Sequence, residues 1–313
     1  MHKQGFPAVA ALLVAAGCVT GPNEAARGEA DLRSAAIVLY VHPGGDDANP
    51  GTVDAPFATV ERARDALRKL RRNGQESAGP RVVQLHGGTY RLTRPLVLTP
   101  QDSGTADAPV VYQAAPGERV VISGGRKVTG WLRHDDRLWV AEAPWSGERE
   151  QPLTQLFVNN RRRTRARTPN PGTYFYTKHL KRDSGHGGLC RGMTFVQGDI
   201  ERWPGFEDNA RIVLYHNWVN SVNAIGEVDW DRRRIRFHRP AGVFFLGPNV
   251  RYYVENVRAA LDAPGEWFFD HAAGKLYYYP KPDEDLVDAE VVVSVVPRTL
   301  ISVQGDQSLG LYV

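Results

Sequence analysis

Between residues 37 and 125, short apolar runs alternate with turn formers. Val82-Val83-Gln84-Leu85 precedes Gly87-Gly88-Thr89-Tyr90. Leu96-Val97-Leu98 precedes Asp102-Ser103-Gly104-Thr105, Val110-Val111-Tyr112 precedes Pro116-Gly117-Glu118, and Val120-Val121-Ile122 runs into Ser123-Gly124-Gly125. β-Branched runs of this length bounded by Gly and Pro predict short strands, and residues 37–41 predict one more. One stretch has a different period. Val60, Ala63, Leu67 and Leu70 fall on one helical face, Thr59 stands at the N-cap, and Asn73-Gly74 ends the run. Such a helix is expected to cover the open end of a sheet. The periodicity alone also admits an antiparallel sandwich.

Past Trp131 the runs lengthen. Strands are expected at 212–215, 224–230 and 234–238, the last two joined by Asp231-Arg232-Arg233. Glu266-Trp267-Phe268-Phe269 and Leu276-Tyr277-Tyr278-Tyr279 flank an Asp270…Gly274 turn, which is a hairpin signal.

Several motifs occur in order: Asp46…Asn49-Pro50-Gly51-Thr52, Ala55-Pro56-Phe57…Thr59, Gly87-Gly88-Thr89-Tyr90, Asp102-Ser103-Gly104-Thr105 and Ile122-Ser123-Gly124-Gly125. They resemble the N-terminal cap and first rungs of pectate-lyase-like proteins. Leu156-Phe157-Val158-Asn159-Asn160 and the segment Asn256…Leu261-Asp262-Ala263-Pro264-Gly265-Glu266-Trp267 resemble the inserted β-domain of glycoside hydrolase family 141, with Asn160 in a glycine's place. The resemblance implies an all-β fold. A right-handed parallel β-helix would be interrupted by an inserted antiparallel domain, with 37–130 the cap and first rungs, 131–289 the insert and 290–313 the start of the main helix. It also implies that the main helix is largely missing, because only 31 residues follow Pro282. On this reading the chain is the N-terminal part of a glycosidase of α-fucosidase or xylanase type and is inactive by itself. Its catalytic acids would lie beyond residue 313. A polysaccharide lyase, using calcium and an Arg or Lys base, and a non-catalytic glycan-binding protein are the other readings.

The ends add a location. Lys3, the apolar residues 6–17 and Ala15-Ala16-Gly17-Cys18 read as a lipoprotein-type signal over 1–18, with Cys18 the lipidated residue. Residues 19–36 are small and polar and read as a disordered tether. The protein is expected to be exported, as a surface or outer-membrane lipoprotein or as a secreted or periplasmic one. There are two cysteines, so acylation of Cys18 leaves Cys190 single and no internal disulfide. A net charge of +4 is small for 313 residues and makes no case for nucleic acid. The run Arg161-Arg162-Arg163, with Arg165 and Arg167, reads as a solvated face.

Candidate chemistry is sparse. No phosphate loop, dinucleotide fingerprint or His-Glu-x-x-His motif is present. Ser184 to Cys190 offers one His and one Cys, too few for zinc. Asp46 and Asp47 suit calcium oxygens, though turn chemistry explains them as well, and no cofactor is expected otherwise. His86 reads as a rung-edge residue, and Asp283-Glu284-Asp285 reads as a solvated turn. The partner is a polysaccharide, and Trp218, Trp267 and Tyr277 are the candidate sugar contacts, with Trp230, Phe268 and Tyr279 beside them.

The lipobox reading has a direct test. In a Gram-negative host the wild type is expected to partition into detergent and Cys18→Ser to be soluble in the periplasm, since anchoring takes more than one acyl chain. A wild type already soluble there removes the anchor.

Overall fold

The computed structural model describes residue 32 and residues 34–75, 78–143, 153–182, 189–242, 249–295 and 299–306. Cys18, the leader, most of the tether, Trp145, the 183–188 loop and residues 311–313 lie outside the described residues. The chain forms two compact units, 1–124 with 296–313, and 125–295.

The first unit is a parallel β-helix. Ile37–Val41, Arg81–Leu85 and Val110–Ala114 pair in parallel, residue for residue, on one face. Gly88–Arg91 pairs with Val120–Ser123 on a second face, and Leu96–Leu98 pairs with Ile301–Val303 on a third. One coil therefore runs 81–85, 88–91, 96–98, and the next runs 110–114, 120–123, 301–303. Residues 125–295 all leave and return between the second and third faces of one rung. The right-handed sense is the one parallel crossovers adopt.

The lumen is apolar. Leu39, Val41, Val83, Leu85, Tyr90, Leu96 and Leu98 are buried together with Val60, Ala63 and Leu67 of the helix Val60–Arg72. Thr59 caps this helix by accepting from the Arg62 N–H, and Asn73 closes it ahead of Gly74 at φ +70°. Asp47 Oδ1 accepts from the Ala58 and Thr59 amides at 2.9 Å, while the Thr59 hydroxyl donates to Oδ2 at 2.7 Å. Asp46 Oδ1 accepts from Ala48 N–H. The acid pair is thus the turn chemistry that enters the helix. Arg68 grips Asp102 with two bonds, of 2.7 and 2.5 Å, which fastens the helix to the turn after Leu96–Leu98. Gln113 donates to Gln84 one rung below at 3.1 Å, so the stack also carries a polar step.

The second unit holds two large antiparallel-rich sheets. One runs, in spatial order, Gly125–Val128, Val291–Ser294, Leu156–Val158, Arg161–Arg165, Glu266–Asp270, Lys275–Tyr278, Trp139–Glu142, Leu132–Arg133. The other runs Arg167–Thr168, Arg251–Glu255, Arg211–Tyr215, Asn220–Asp229, Arg234–Ala241, Cys190–Thr194, His179–Arg182. The predicted hairpin forms, with Trp267 opposite Tyr278 and Phe269 opposite Leu276. Asn159 and Asn160 take φ +50° and +60° at the turn where a glycine was expected.

One strand is placed differently from the sequence reading. Residues 290–296 were expected to begin the returning parallel helix. Val291–Ser294 instead pairs antiparallel with both Gly125–Val128 and Leu156–Val158, and Val291 and Val293 are buried among Trp267 and Leu156. Alternating valines fit either sheet, and the returning strand is the less apolar Ile301–Val303.

Two residues couple the sheets. Ala166 donates its N–H to Trp267 O at 2.7 Å in the first sheet and accepts from Asn256 N–H at 2.8 Å in the second. Asn256, buried at φ +60°, accepts from Phe269 N–H and donates to Phe269 O and Asn209 O, each at 3.0 Å. Its amide pairs with the Phe269 backbone as a neighbouring strand would. Close by, Glu266 accepts from the Asp262 and Ala263 amides at 3.2 Å, which shapes the turn that Gly265 completes at φ +91°.

Asn256→Ala leaves buried backbone groups unpaired, each worth about 1–3 kcal/mol, so a loss of about 3 kcal/mol in urea unfolding is expected. Asn256→Asp keeps the shape but not the donors and is expected to lose at least as much. If both variants unfold with the wild-type midpoint, the coupling role is wrong.

Candidate functional site

The structure separates the three predicted sugar contacts. Trp218 stands 76% exposed on the turn between Arg211–Tyr215 and Asn220–Asp229. Trp267 is fully buried, with the Arg165 guanidinium 4.6 Å from its ring centre and its indole N–H donating to Arg163 O. Tyr277 is buried too, against Phe268, the His134 edge and the Arg258 guanidinium at 4.0 Å. Neither ring has a face for a sugar. Both sides of this hairpin are covered, Trp267, Phe269 and Tyr278 in one cluster and Phe268 and Tyr277 in another. Strand alternation therefore leaves no wet side.

The basic run is not a solvated face. Arg161 and Arg162 are exposed, but Arg163 is buried, donates to the Tyr278 hydroxyl at 2.9 Å and pairs with Glu284, to which the same hydroxyl donates. Glu284 is thus the inner member of a buried ion pair, its side chain 4% exposed, and not a residue of a solvated turn. Burial pushes the Tyr278 hydroxyl well above its usual range. Arg165 pairs with Glu255 at 3.3 Å, and Arg167 lies 3.5 Å from the Tyr253 ring centre. Arg211 shares that neighbourhood, and burial lowers the pKa of both Arg165 and Arg211. Cys190 is a core residue on its strand, its Sγ donating to Gly192 O.

On the β-helix, the carboxylates of Glu118 and Asp102 are both held by hydrogen bonds. A general acid needs a raised pKa. Glu118 is held below the usual carboxylate range, first by the Gly87 N–H and then by His86 at 3.1 Å, where His86 sits at the rung edge as expected. Asp102 is committed to Arg68. Among the described residues, no group of three or more His, Cys, Asp or Glu side chains is gathered for a metal. Asp46 and Asp47, the calcium candidates of the lyase reading, accept backbone N–H groups of the turn.

Two open concavities lie in the second unit. The first, about 390 Å³, is walled by Trp203 and Trp230 over buried Phe206, with Arg202, Glu207 and Asp208 at its rim. The Trp203 and Trp230 rings each pack 5.7 Å from Phe206, and Arg202 lies 5.4 Å from the Trp230 ring centre. The second, about 550 Å³, is walled by Trp139 and Tyr279 and lined by Arg133, Arg137 and Lys281. The sequence reading named Trp230 and Tyr279 but missed Trp203 and Trp139. The Trp203-Pro204-Gly205 turn signal was there to find Trp203.

Residues 136–281 match the sequence profile described as the GH141 insertion domain. A solved structure titled "Glycoside hydrolase" superposes with a TM-score of 0.73 at 31% identity, over 87% of this chain and 48% of that one. Pectate lyase PEL9 of Emericella nidulans is 41% identical over 86 residues, 28% of this chain and 18% of that protein. The uncharacterized protein YwoF of Bacillus subtilis is 35% identical over 86 residues, 28% of this chain and 15% of that protein. The chain therefore spans less than half the length of each of these relatives.

The hairpin turn carries a pH response. Burial first, and then the charges of Arg211 and Arg165, bring the His271 imidazole down from 6.5 to about 4. The unfolded chain takes up this proton and the folded one does not, so stability falls as pH drops from 6.5 toward 4. His271→Gln is expected to flatten the urea midpoint across that window. A variant that tracks the wild type throughout rules His271 out.

Proposed function

We propose that this GH141-like β-helix protein is part of an exported carbohydrate-active enzyme, a glycoside hydrolase acting on plant or complex polysaccharide. The observation that carries the reading is the insertion domain matched at 136–281 and set into one rung of a β-helix, an architecture shared with a solved glycoside hydrolase. On this reading Cys18 anchors the protein to a membrane surface. The α-fucosidase or xylanase type of activity belongs to the proposal. So does assigning the catalytic carboxylate pair to rungs beyond those described.

The Trp203–Trp230 concavity is the proposed sugar platform. A pyranose ring lays its C–H face on an indole, and Glu207 and Asp208 accept its hydroxyls. Trp218, the exposed survivor of the sequence candidates, is a second platform.

A pectate-type lyase is the second reading, favoured by the 86-residue similarity to PEL9. New reducing ends without a double bond mark hydrolysis, and an unsaturated uronate product marks a lyase. Retention without turnover marks a binding module.

Affinity electrophoresis of the purified chain through gels of neutral plant glycans tests the platform. Trp203→Ala and Trp230→Ala are each expected to weaken retention about tenfold, or about 1.4 kcal/mol. Absence of retention on every neutral glycan, or variants that migrate as the wild type, sinks the platform.

A further inference from the structure

We propose that the concavity between Trp139 and Tyr279 binds a carboxylated sugar, a hexuronate unit of an acidic glycan. The inference rests on the carbohydrate reading above and narrows its substrate class. Three cationic side chains, Arg133, Arg137 and Lys281, line this one space. None of them is in an ion pair among the described residues. Arg133 lies 5.8 Å from the Trp139 ring centre and Arg137 lies 5.9 Å from that of Tyr279. A guanidinium resting on a ring is pre-ordered, and its N–H edge matches the two oxygens of a carboxylate.

Asp136 and Asp285 bring two negative charges to the same lining, so the three cations keep an excess of one. Glu284 is turned inward, where Arg163 and the Tyr278 hydroxyl consume it. Asp285 spends one oxygen on the Val287 N–H at 2.9 Å. Its other oxygen and Asp136 remain to accept sugar hydroxyls. The site therefore offers cations for a carboxylate, acceptors for hydroxyls and aromatic flanks for a ring. Its volume of about 550 Å³ is ordinary for a small-molecule site. The Trp203–Trp230 concavity differs in kind. Arg202 there approaches Asp231 at 3.9 Å, and two carboxylates dominate its rim, which suits a neutral ring.

The test uses the full chain with polygalacturonate and with the same polymer fully methyl-esterified, which keeps the rings and linkages and removes the charge. Retention is expected on the acid form and not on the ester, and is expected to weaken as salt is raised. Arg133→Gln with Arg137→Gln is expected to weaken it about tenfold or more, since bonds to charged groups are the strong ones. Arg161→Gln with Arg162→Gln, a pair outside the concavity, is expected to bind as the wild type. Equal retention on acid and ester, no retention on the acid, or equal losses in the two double variants overturns the inference. Retention on neutral glycans alongside any of those results leaves the carbohydrate reading standing. A chain that binds neither class takes down both.

Discussion

The insertion domain depends on the obligation of buried backbone groups to find partners. Where the chain crosses from one sheet to the other, no strand can supply them. Ala166 meets the need with its own backbone, bonding Trp267 on one side and Asn256 on the other. Asn256 meets it with a side chain that imitates a peptide group against Phe269. Left-handed backbone at Asn256 costs little, because a short amide side chain tolerates it. Around this joint, apolar rings fill both faces of the hairpin, and buried guanidinium groups are held by Glu255 and Glu284.

The β-helix obeys a different constraint. Each rung buries its inner face only by stacking on the next, and the end of the stack needs a cover. The helix Val60–Arg72 provides that cover and is pinned at its start by Asp47 and in its middle by Arg68. Polar chemistry here goes mostly into holding turns. Glu118 and Asp102, the kind of carboxylates that attract attention in an enzyme, are employed as clips.

Local signals were legible in the sequence. Thr59, Asn73-Gly74 and the 266–279 hairpin form as the residues demand, because caps and turns depend on neighbours in the chain. Signals that depend on what lies across the fold were not. Val291 and Val293 alternate equally well for a parallel rung or an antiparallel sheet, and only their partners decide. The arginine run 161–167 looked solvated because charge is usually outside. Strand geometry turns Arg163 inward, and Glu284, far along the chain, pays for its burial. Trp267 and Tyr277 were read as binding rings because alternation along a strand turns only some of its rings into the core. Alternation marks two faces but cannot say that both are covered. The concavities escaped because each gathers residues from segments far apart in the chain, Arg133 and Lys281 for one, Trp203 and Trp230 for the other.

The split rung has a consequence for synthesis. Leu96–Leu98 emerges from the ribosome long before its partner, Ile301–Val303, with the whole insertion domain encoded between them. Until that domain has been made, the third face of the rung waits as an open edge, the kind of surface on which nascent chains stick to one another. The insert closes that gap by bringing Gly125–Val128 and Val291–Ser294 side by side at its base. Its folding replaces a long, entropically costly loop by a short span, so the order of birth along the chain becomes the order of assembly.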